Sequence, residues 1–309
     1  MDPVVWFFVL GLIAGFARSD LRIPPAIYEL LSIVLLLSIG LKGGVELARS
    51  PFDGIALQAA AVILLGLSIP FLVFPLAYYV ARLKRPDAAS VAAHYGSVSV
   101  ATYAVGVSYL GTRSVSYDSQ LPLFLVLLEI PAIVVGIVLA RGISRQTRWS
   151  SLAHEILFGK SIVLLVGGLF IGWVAGPERI GSLEPLFFDL FKGVLAVFLL
   201  EMGLIASSQT RELRSRALSI LAIGLLLPVP LALAGALLGT ALGLSVGGTT
   251  LLAVLSGSAS YIAAPAAMRI AVPDANPSIS LTASLGVTFP FNVFFGVPLY
   301  LQIAEWLHS

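Results

Sequence analysis

The sequence of 309 residues contains no cysteine, and charged residues make up only 11% of it. The absence of cysteine excludes disulfide bonds and thiolate metal sites. Three histidines, at positions 94, 154 and 308, are too scattered to indicate a metal site. Because ordinary soluble domains carry about twice this fraction of charge, the composition and a mean hydropathy of +1.00 predict an integral membrane protein with several helices.

Sequence features of several other protein classes are also missing. The Gly-x-x-x-x-Gly-Lys-Ser/Thr motif does not occur, so we expect no direct use of ATP. No lysine- or arginine-rich run indicates nucleic-acid binding, and the formal net charge is only +2. Two Gly-Ser-x-Ser elements differ from the Gly-x-Ser-x-Gly motif of serine hydrolases, and no His–Asp pair is evident beside them. We therefore expect neither an enzyme nor a cofactor.

Ten apolar segments, separated by charged or turn-rich breaks, indicate membrane spans. The first segment has no basic residues before it and no small-x-small cleavage pattern after it, so we interpret it as a span and not as a cleaved signal. The first and sixth segments are shorter than the ~20 residues of a typical span. The predicted limits are 3–17, 24–41, 55–81, 89–111, 120–140, 161–176, 186–206, 217–242, 247–271 and 279–306.

Positive charges predict how these spans are oriented. The breaks that follow odd-numbered segments hold most of the lysine and arginine, and the positive-inside rule places such breaks in the cytoplasm. Both termini are then expected outside the cytoplasm, in a multi-pass protein of the bacterial inner membrane. The expected cytoplasmic residues are Arg18, Arg22, Arg82, Lys84, Arg85, Arg141, Arg145, Arg148, Lys160, Arg211, Arg214, Arg216 and Arg269, against Lys42, Arg49, Arg113 and Arg179 outside.

Short matches relate the two halves of the chain. The matching pairs are 11–15 with 168–172, 37–41 with 200–204, 96–99 with 257–260, and Pro131 with Pro290, at separations of 157 to 163 residues. Five spans in each half force the second half to enter the membrane from the opposite side, as in inverted-repeat transporters. We therefore predict an all-α polytopic fold with a first repeat at 1–145, a cytoplasmic linker at 146–160 and an inverted second repeat at 161–309.

The two Gly-Ser-x-Ser elements lie near the middle of the fourth and ninth spans, where glycine weakens a helix. A helix broken here offers free N–H groups to an anion, and its carbonyls and hydroxyls can coordinate Na⁺. Small residues that let helices pack closely are the alternative explanation. Because two copies occupy equivalent positions, we favour a substrate site formed by Gly96, Ser97, Ser99, Thr102, Gly257, Ser258, Ser260 and Tyr261.

Ionisable residues inside the spans are the candidates for ion coupling. Glu129 lies in the middle of the fifth span, where a carboxyl group is costly and is a functional candidate by default. Glu201 is a weaker candidate, and Lys192 is expected to extend to the outer membrane surface. His94, just before the first break, is expected to be a packed or hydrogen-bonded residue. Coupling to Na⁺ or H⁺ is predicted at Glu129, Ser99, Ser256 and Ser260.

These residues resemble those of a known family, the sodium-dependent bicarbonate symporters, over nearly the whole chain. The most specific stretch is the serine-rich segment 256–265, which is followed by Arg269, Pro273 and an Ala-Asn-Pro-Ser turn at 275–278. The stretches 23–27, 39–44, 96–99 and 129–132 also resemble the family. The resemblance implies ten spans in two inverted five-span repeats, a core and a gate drawn from both repeats, and a trimer.

The resemblance also implies that bicarbonate and Na⁺ bind where the broken helices cross. Matching motifs carry this site onto Gly96, Ser97, Ser99, Thr102, Ser256, Ser258 and Ser260. Tyr261 stands where the family has aspartate, so one carboxylate is lost, and Glu129 is the acid that stands in place of another family aspartate. The family's long cytoplasmic segment is reduced to 141–160, which argues against control by a soluble PII-like regulator.

The sequence therefore predicts a secondary active transporter of a small anion in the lipid bilayer, with Na⁺-coupled bicarbonate uptake by alternating access as the leading function. A H⁺- or Na⁺-coupled transporter of small organic carboxylates is an alternative. An anion channel or a ligand sensor on the same scaffold is an alternative of another class. The paired, inverted breaks favour transport.

Overall fold

The computed structural model describes residues 2–49, 54–142, 153–154, 157–211 and 217–309. Within these ranges the chain is helical and contains no strand. The helices are α1 Pro3–Phe16, α2 Pro25–Arg49, α3 Ile55–Pro75, α4 Arg85–Gly96, α5 Val100–Thr112, α6 Leu121–Arg141, α7 Lys160–Arg179, α8 Phe191–Arg211, α9 Ala217–Leu226, α10 Pro228–Ala241, α11 Val246–Ser256, α12 Ala263–Ala271 and α13 Pro277–Leu307.

Several helices contain or adjoin irregular turns. A π-helical turn, Leu76–Val80, extends α3, and two π-helical segments, Thr282–Thr288 and Asn292–Gly296, interrupt α13. A single residue, Leu227, separates α9 from α10, because Pro228 cannot donate a backbone hydrogen bond. The segments Gly181–Leu183 and Pro185–Asp189 form short turns before α8.

Seven helical stretches of the described chain are long and apolar enough to cross a membrane, so the prediction of a multi-pass, all-helical protein is confirmed. They are α2, α3 with its extension, α6, α7, α8, α9 together with α10, and α13. Many of their large apolar side chains are exposed, among them Phe71 and Trp306 at 56% and 71%. Such surfaces are costly in water and suit contact with lipid. The arrangement as ten spans in inverted repeats stays a prediction.

The second span is longer than predicted, because α2 continues through Lys42 and Gly43 to Arg49 and does not end at residue 41. Helix α7 is assigned as far as Arg179, but its backbone leaves the helical conformation at Gly176, where φ is 62° and ψ is 179°, so the predicted end at residue 176 coincides with this break. Lys192 is exposed in the first turn of α8, at the very start of the candidate span Phe191–Gln209. The predicted linker, 146–160, lies largely outside the described residues, as do Arg145, Arg148, Arg214 and Arg216.

Two helix pairs join the halves of the chain through glycine. In the first, α1 packs on α8, and a Cβ on Gly11 would lie 3.1 Å from the Cα of Gly203. In the second, α2 packs on α7, and a Cβ on Gly168 would lie 3.1 Å from the Cα of Gly40. Glycine at these positions lets the helix backbones approach closely, as small residues do between membrane helices.

The short helices are held within a second group of elements. Helix α4 packs between α3 and α6, whereas α11 packs against α10 and α13. Helix α5 contacts α11, and α12 contacts α4 and α6. Two bonds fix this group further, because the hydroxyl of Tyr95 and that of Thr288 lie 2.6 Å apart and Thr288 donates to the Gly224 carbonyl. The breaks between the short helices therefore lie inside the protein.

Candidate functional site

The first break separates α4 from α5. Helix α4 ends at Gly96, and the next residue, Ser97, has an extended backbone with ψ of −179°. Ser99 then begins α5 as its N-cap, and its Oγ accepts hydrogen bonds from the Thr102 N–H and the Thr102 hydroxyl, at 3.1 and 2.8 Å. The interruption predicted at 96–99 is present, and the serine that follows it stabilises the second half-helix.

The second break, between α11 and α12, is longer. It begins after Ser256, and α12 begins at Ala263. The Ser258 hydroxyl donates to the Leu255 carbonyl, and the Ser260 Oγ accepts from the Ala264 N–H at 3.2 Å. A side chain of α13 supports the same segment, because the Asn292 amide donates to the Gly257 carbonyl.

The two breaks cross and are hydrogen-bonded to each other in both directions. The Ser99 N–H donates to the Ser258 Oγ at 3.0 Å. In return, the Ser260 N–H donates to the His94 carbonyl at 2.8 Å. These bonds join residues from the two halves of the chain, so the crossing of the Gly-Ser-x-Ser elements is a built structural unit.

Close packing explains the two glycines at the start of the breaks. A Cβ on Gly96 would lie 2.6 Å from the Pro70 side chain and 2.7 Å from Ala132. A Cβ on Gly257 would lie 2.8 Å from the Ala232 side chain. Gly96 and Gly257 therefore let the breaks pack closely against neighbouring helices. Only their backbone N–H and carbonyl groups could bind a ligand.

Several polar groups at the crossing are not committed to protein partners. The hydroxyls of Ser97 and Tyr261 are buried and have no hydrogen-bond partner among the described residues. Tyr261 lies beside Ser99 and packs its ring edge-on against Phe289 at 5.6 Å. Ser99 Oγ accepts two hydrogen bonds, so its own proton can be donated either to the neighbouring Tyr261 hydroxyl or to a ligand. Buried hydroxyls without partners are costly, and a bound ligand would satisfy them.

Both second half-helices direct their N-termini toward the crossing. In α5 the N–H groups of Val100 and Ala101 donate to no described residue, since the cap serves Thr102. In α12 the N–H of Ala263 is likewise free within the described chain, whereas Ala264 is capped by Ser260. Free N–H groups at the positive end of a helix dipole favour an anion.

Glu129 lies on α6, next to the crossing but not within it. Its side chain is 2% exposed, and Oε2 has no partner among the described residues. It lines a cavity of about 180 Å³ together with Lys160 at the start of α7 and with Ile262 and Ala263 at the start of α12. The cavity thus places the Glu129 carboxyl group beside the N-terminus of α12, so a cation or a proton bound there would act on the second break.

Ser256 points away from the other predicted site residues. Its hydroxyl donates to the Leu252 carbonyl at 2.8 Å. A Cβ on Gly235 of α10 would lie 2.4 Å from the same hydroxyl oxygen, so Ser256 packs against that helix. The role of Ser256 in ion coupling stays a prediction. The structure brings together Ser97, Ser99 and Thr102 with Ser258, Ser260 and Tyr261, and it leaves Ser256 at the edge.

Sequence reasoning missed the contribution of His94 to the crossing. The residue is 1% exposed, and its carbonyl is the acceptor for Ser260. The only signal in the sequence was its position just before Gly96. A backbone acceptor leaves no trace in the residue type, so the contact could not be found from sequence.

A Gly-x-Ser-x-Gly sequence at 243–247 proves to be a helix cap. Ser245 begins α11, and its Oγ accepts from the Gly248 N–H at 3.0 Å. The same hydroxyl donates to Asp118 at 2.6 Å, and His308 Nε2 lies 3.0 Å from the Leu244 carbonyl, so no histidine base meets the serine. This arrangement stabilises the helix and lacks the Ser–His pair of a hydrolase.

Comparison with known proteins agrees with this geometry. No curated protein matches the chain. A family model, described as the Na⁺-dependent bicarbonate transporter superfamily, matches residues 3–305. This match includes both breaks, Glu129 and the glycine-packed helix pairs. Transporter membership also agrees with the expectation that the protein is not an enzyme. The chain belongs to the Na⁺-dependent bicarbonate transporter superfamily.

Proposed function

We propose that this protein takes up bicarbonate, or a closely similar small anion, by Na⁺-coupled alternating access. The observation that carries the proposal is the crossing of two broken helices with uncommitted hydroxyls of Ser97 and Tyr261 at their junction. Its N–H groups and hydroxyls can bind an anion without a buried cationic side chain. Na⁺ would enter as a transported ion and take oxygen ligands from hydroxyls and freed carbonyls.

Helix packing supports two inverted repeats. The sequence matches pair α1 with α7 and the middle of α2 with that of α8. In the structure α1 packs on α8 and α7 packs on α2, with matched glycines at both contacts. A two-fold relation between the halves would produce this exchange. We propose that α1, α2, α7 and α8 form the gate and that the group around the crossing forms the mobile core.

The proposed function includes an oligomeric state, a membrane orientation and a mode of regulation. We propose a homotrimer in the bacterial inner membrane, with both termini outside the cytoplasm and without control by a soluble PII-like regulator. The positive-inside pattern supports the orientation, and the shortened linker supports the lack of such control. Cysteine scanning of introduced residues near each terminus with a membrane-impermeant reagent would test the orientation.

The test of function is labelled bicarbonate uptake into proteoliposomes, with an inward Na⁺ gradient compared with a matched K⁺ gradient. We expect accumulation above equilibrium only with Na⁺, because only a coupled ion supplies the free energy for it. Passive equilibration with either cation would instead indicate a channel. Absence of uptake by protein shown to be folded would contradict the proposal.

Replacing Glu129 with glutamine should remove most of the Na⁺-dependent uptake, by about tenfold or more, with little loss of stability. The amide has nearly the same shape but cannot ionise, so it can neither offer a negative charge to Na⁺ nor release a proton, and Oε2 has no partner among the described residues that it would lose. Uptake would be measured against Na⁺ concentration. The matched control is Glu305→Gln, an exposed position at the end of α13. An unchanged Na⁺ response in Glu129→Gln would remove this residue from the coupling site.

One observation favours the second candidate function, transport of small organic carboxylates. A cavity of about 60 Å³ near the C-terminal end of α2 is lined by Lys42, by Tyr103 and by Phe187, Phe188 and Phe191. The Tyr103 hydroxyl has no hydrogen-bond partner within the described part of the chain. An ammonium group beside aromatic rings suits a carboxylate with an apolar group. Competition of acetate or pyruvate with labelled bicarbonate would distinguish the two substrates.

A further inference from the structure

A separate cavity adjoins the crossing on the side of Arg269. It lies between α4, α12 and the start of α13 and has a volume of about 130 Å³. Its polar lining consists of Ser90, His94, Arg269 and Ser280, and none of the described residues that line it is acidic. The cavity is distinct from the one that holds Glu129, which lies toward α6 and α7.

His94 presents a hydrogen-bond acceptor to this cavity. Its Nδ1 lies 2.7 Å from the Ser90 carbonyl, and because a carbonyl can only accept, Nδ1 must carry the proton. In the neutral ring Nε2 then has a lone pair and no proton. Nε2 is buried and has no partner among the described residues. A ligand that satisfies it must donate a hydrogen bond.

Arg269 supplies the positive charge of the cavity. It lies in the last turn of α12, and no hydrogen bond or ion pair engages it within the described chain. Ser90 and Ser280, which also line the cavity, are hydrogen-bonded to each other at 3.2 Å. The guanidinium group favours the oxygens of a carboxylate-like anion. Arg269 and His94 Nε2 together therefore favour an oxyanion that also carries a hydroxyl group.

We propose that this cavity is a second binding site for a hydroxyl-bearing oxyanion of the bicarbonate type. Arg269 binds the charged oxygens of this anion, and the hydroxyl of the anion donates a hydrogen bond to His94 Nε2. The identification of bicarbonate as the physiological occupant rests on the proposed function. The preference of the site for a hydroxyl-bearing oxyanion rests only on Arg269 and His94. The His94 carbonyl binds the Ser260 N–H, so a transported anion would be held here immediately next to the crossing.

The test uses full-length protein with ¹⁵N-labelled histidine rings, and it compares bicarbonate with nitrate. Nitrate has the same charge and planar shape but no hydroxyl. The three histidines make assignment simple, since the His94 signal disappears in His94→Gln. At a pH of about 8, above the ordinary histidine pKa of about 6.5, the ring is measured in its neutral form. We expect bicarbonate, and not nitrate, to shift the Nε2 resonance.

Variants separate this site from the crossing. Arg269→Gln should raise the half-saturating bicarbonate concentration for the Nε2 shift at least about tenfold, because a charge-assisted contact is lost. The matched control Arg179→Gln, on α7, should leave it unchanged. Ser99→Ala should also leave it within about twofold, since Ser99 belongs to the crossing.

Three results would overturn the second site: no Nε2 shift with bicarbonate, an equal shift with nitrate, or an effect of Ser99→Ala that exceeds that of Arg269→Gln. The second site and the proposed function can be rejected independently of each other. If the His94 signal responds as expected while proteoliposomes show no Na⁺-dependent uptake, the binding site stands and transport does not. If uptake is present and the signal is silent, transport stands and the second site is rejected.

Discussion

Replacing Ser99 with alanine should lower Na⁺-driven uptake by about tenfold or more and reduce the free energy of unfolding by about 1 kcal/mol. Ser99 caps α5 by accepting from Thr102, and its remaining proton is available to a ligand. Alanine removes both functions. Uptake into proteoliposomes and thermal unfolding in detergent measure the two effects independently.

Ser260→Ala should behave in the same way, because Ser260 caps α12 through the Ala264 N–H. The matched control is Ser68→Ala in α3, whose exposed hydroxyl donates only to the Leu65 carbonyl of its own helix. Wild-type uptake by folded Ser99→Ala and Ser260→Ala proteins would place the substrate elsewhere. A loss of uptake in Ser68→Ala of the same size would show that the assay reports general damage.

Replacing Gly168 with leucine should destabilise the protein by about 3 kcal/mol, because a larger side chain forces closely packed backbones apart. A Cβ at this position would already lie 3.1 Å from the Cα of Gly40 and 3.2 Å from the Leu37 carbonyl oxygen on α2. The preceding residue offers a matched control. A Cβ on Gly167 meets nothing within 4 Å, so Gly167→Leu should leave stability nearly unchanged.

Unfolding of both glycine variants in mixed detergent, followed by tryptophan fluorescence, measures the difference. Trp173 lies on the same helix and contacts this interface, since its backbone N lies near the position of a Cβ on Gly44. Equal stability of the two variants would mean that α2 and α7 are not in contact through Gly168. It would also weaken the case for a gate formed by these helices.

The sequence predicted the elements of the crossing but not how they bind each other. Glycine and serine at 96–99 and 257–260 predict local helix breaks because their effects are local. The bond from Ser99 to Ser258 joins residues 159 positions apart, and no periodicity encodes such a pairing. The same limit applies to Ser256, whose residue type suggested a ligand although its hydroxyl faces its own helix and α10.

Helix limits were predicted well where charge or proline marks them, as at Pro25, Arg141 and Pro277. They were predicted poorly where a helix continues past a charge or a pair of glycines. The end of α2 is an example, because this helix continues through Lys42 and Gly43 to Arg49, although the charge and the glycines after residue 41 suggested a break. The π-helical segments of α13 could not be foreseen, since their residues are ordinary for a membrane helix.

The two hydrogen bonds between the broken helices bear on whether one solute could cross the membrane without the other. Since the Ser99 N–H donates to Ser258 and the Ser260 N–H donates to the His94 carbonyl at the end of α4, neither half-helix pair can shift alone without losing a buried bond. An ion and an anion bound there would travel in one body and be released to the same side of the membrane. Slippage, in which one solute crosses without the other, would require these two bonds to break. The tightness of coupling would then depend on two backbone N–H groups that are already bound within the protein.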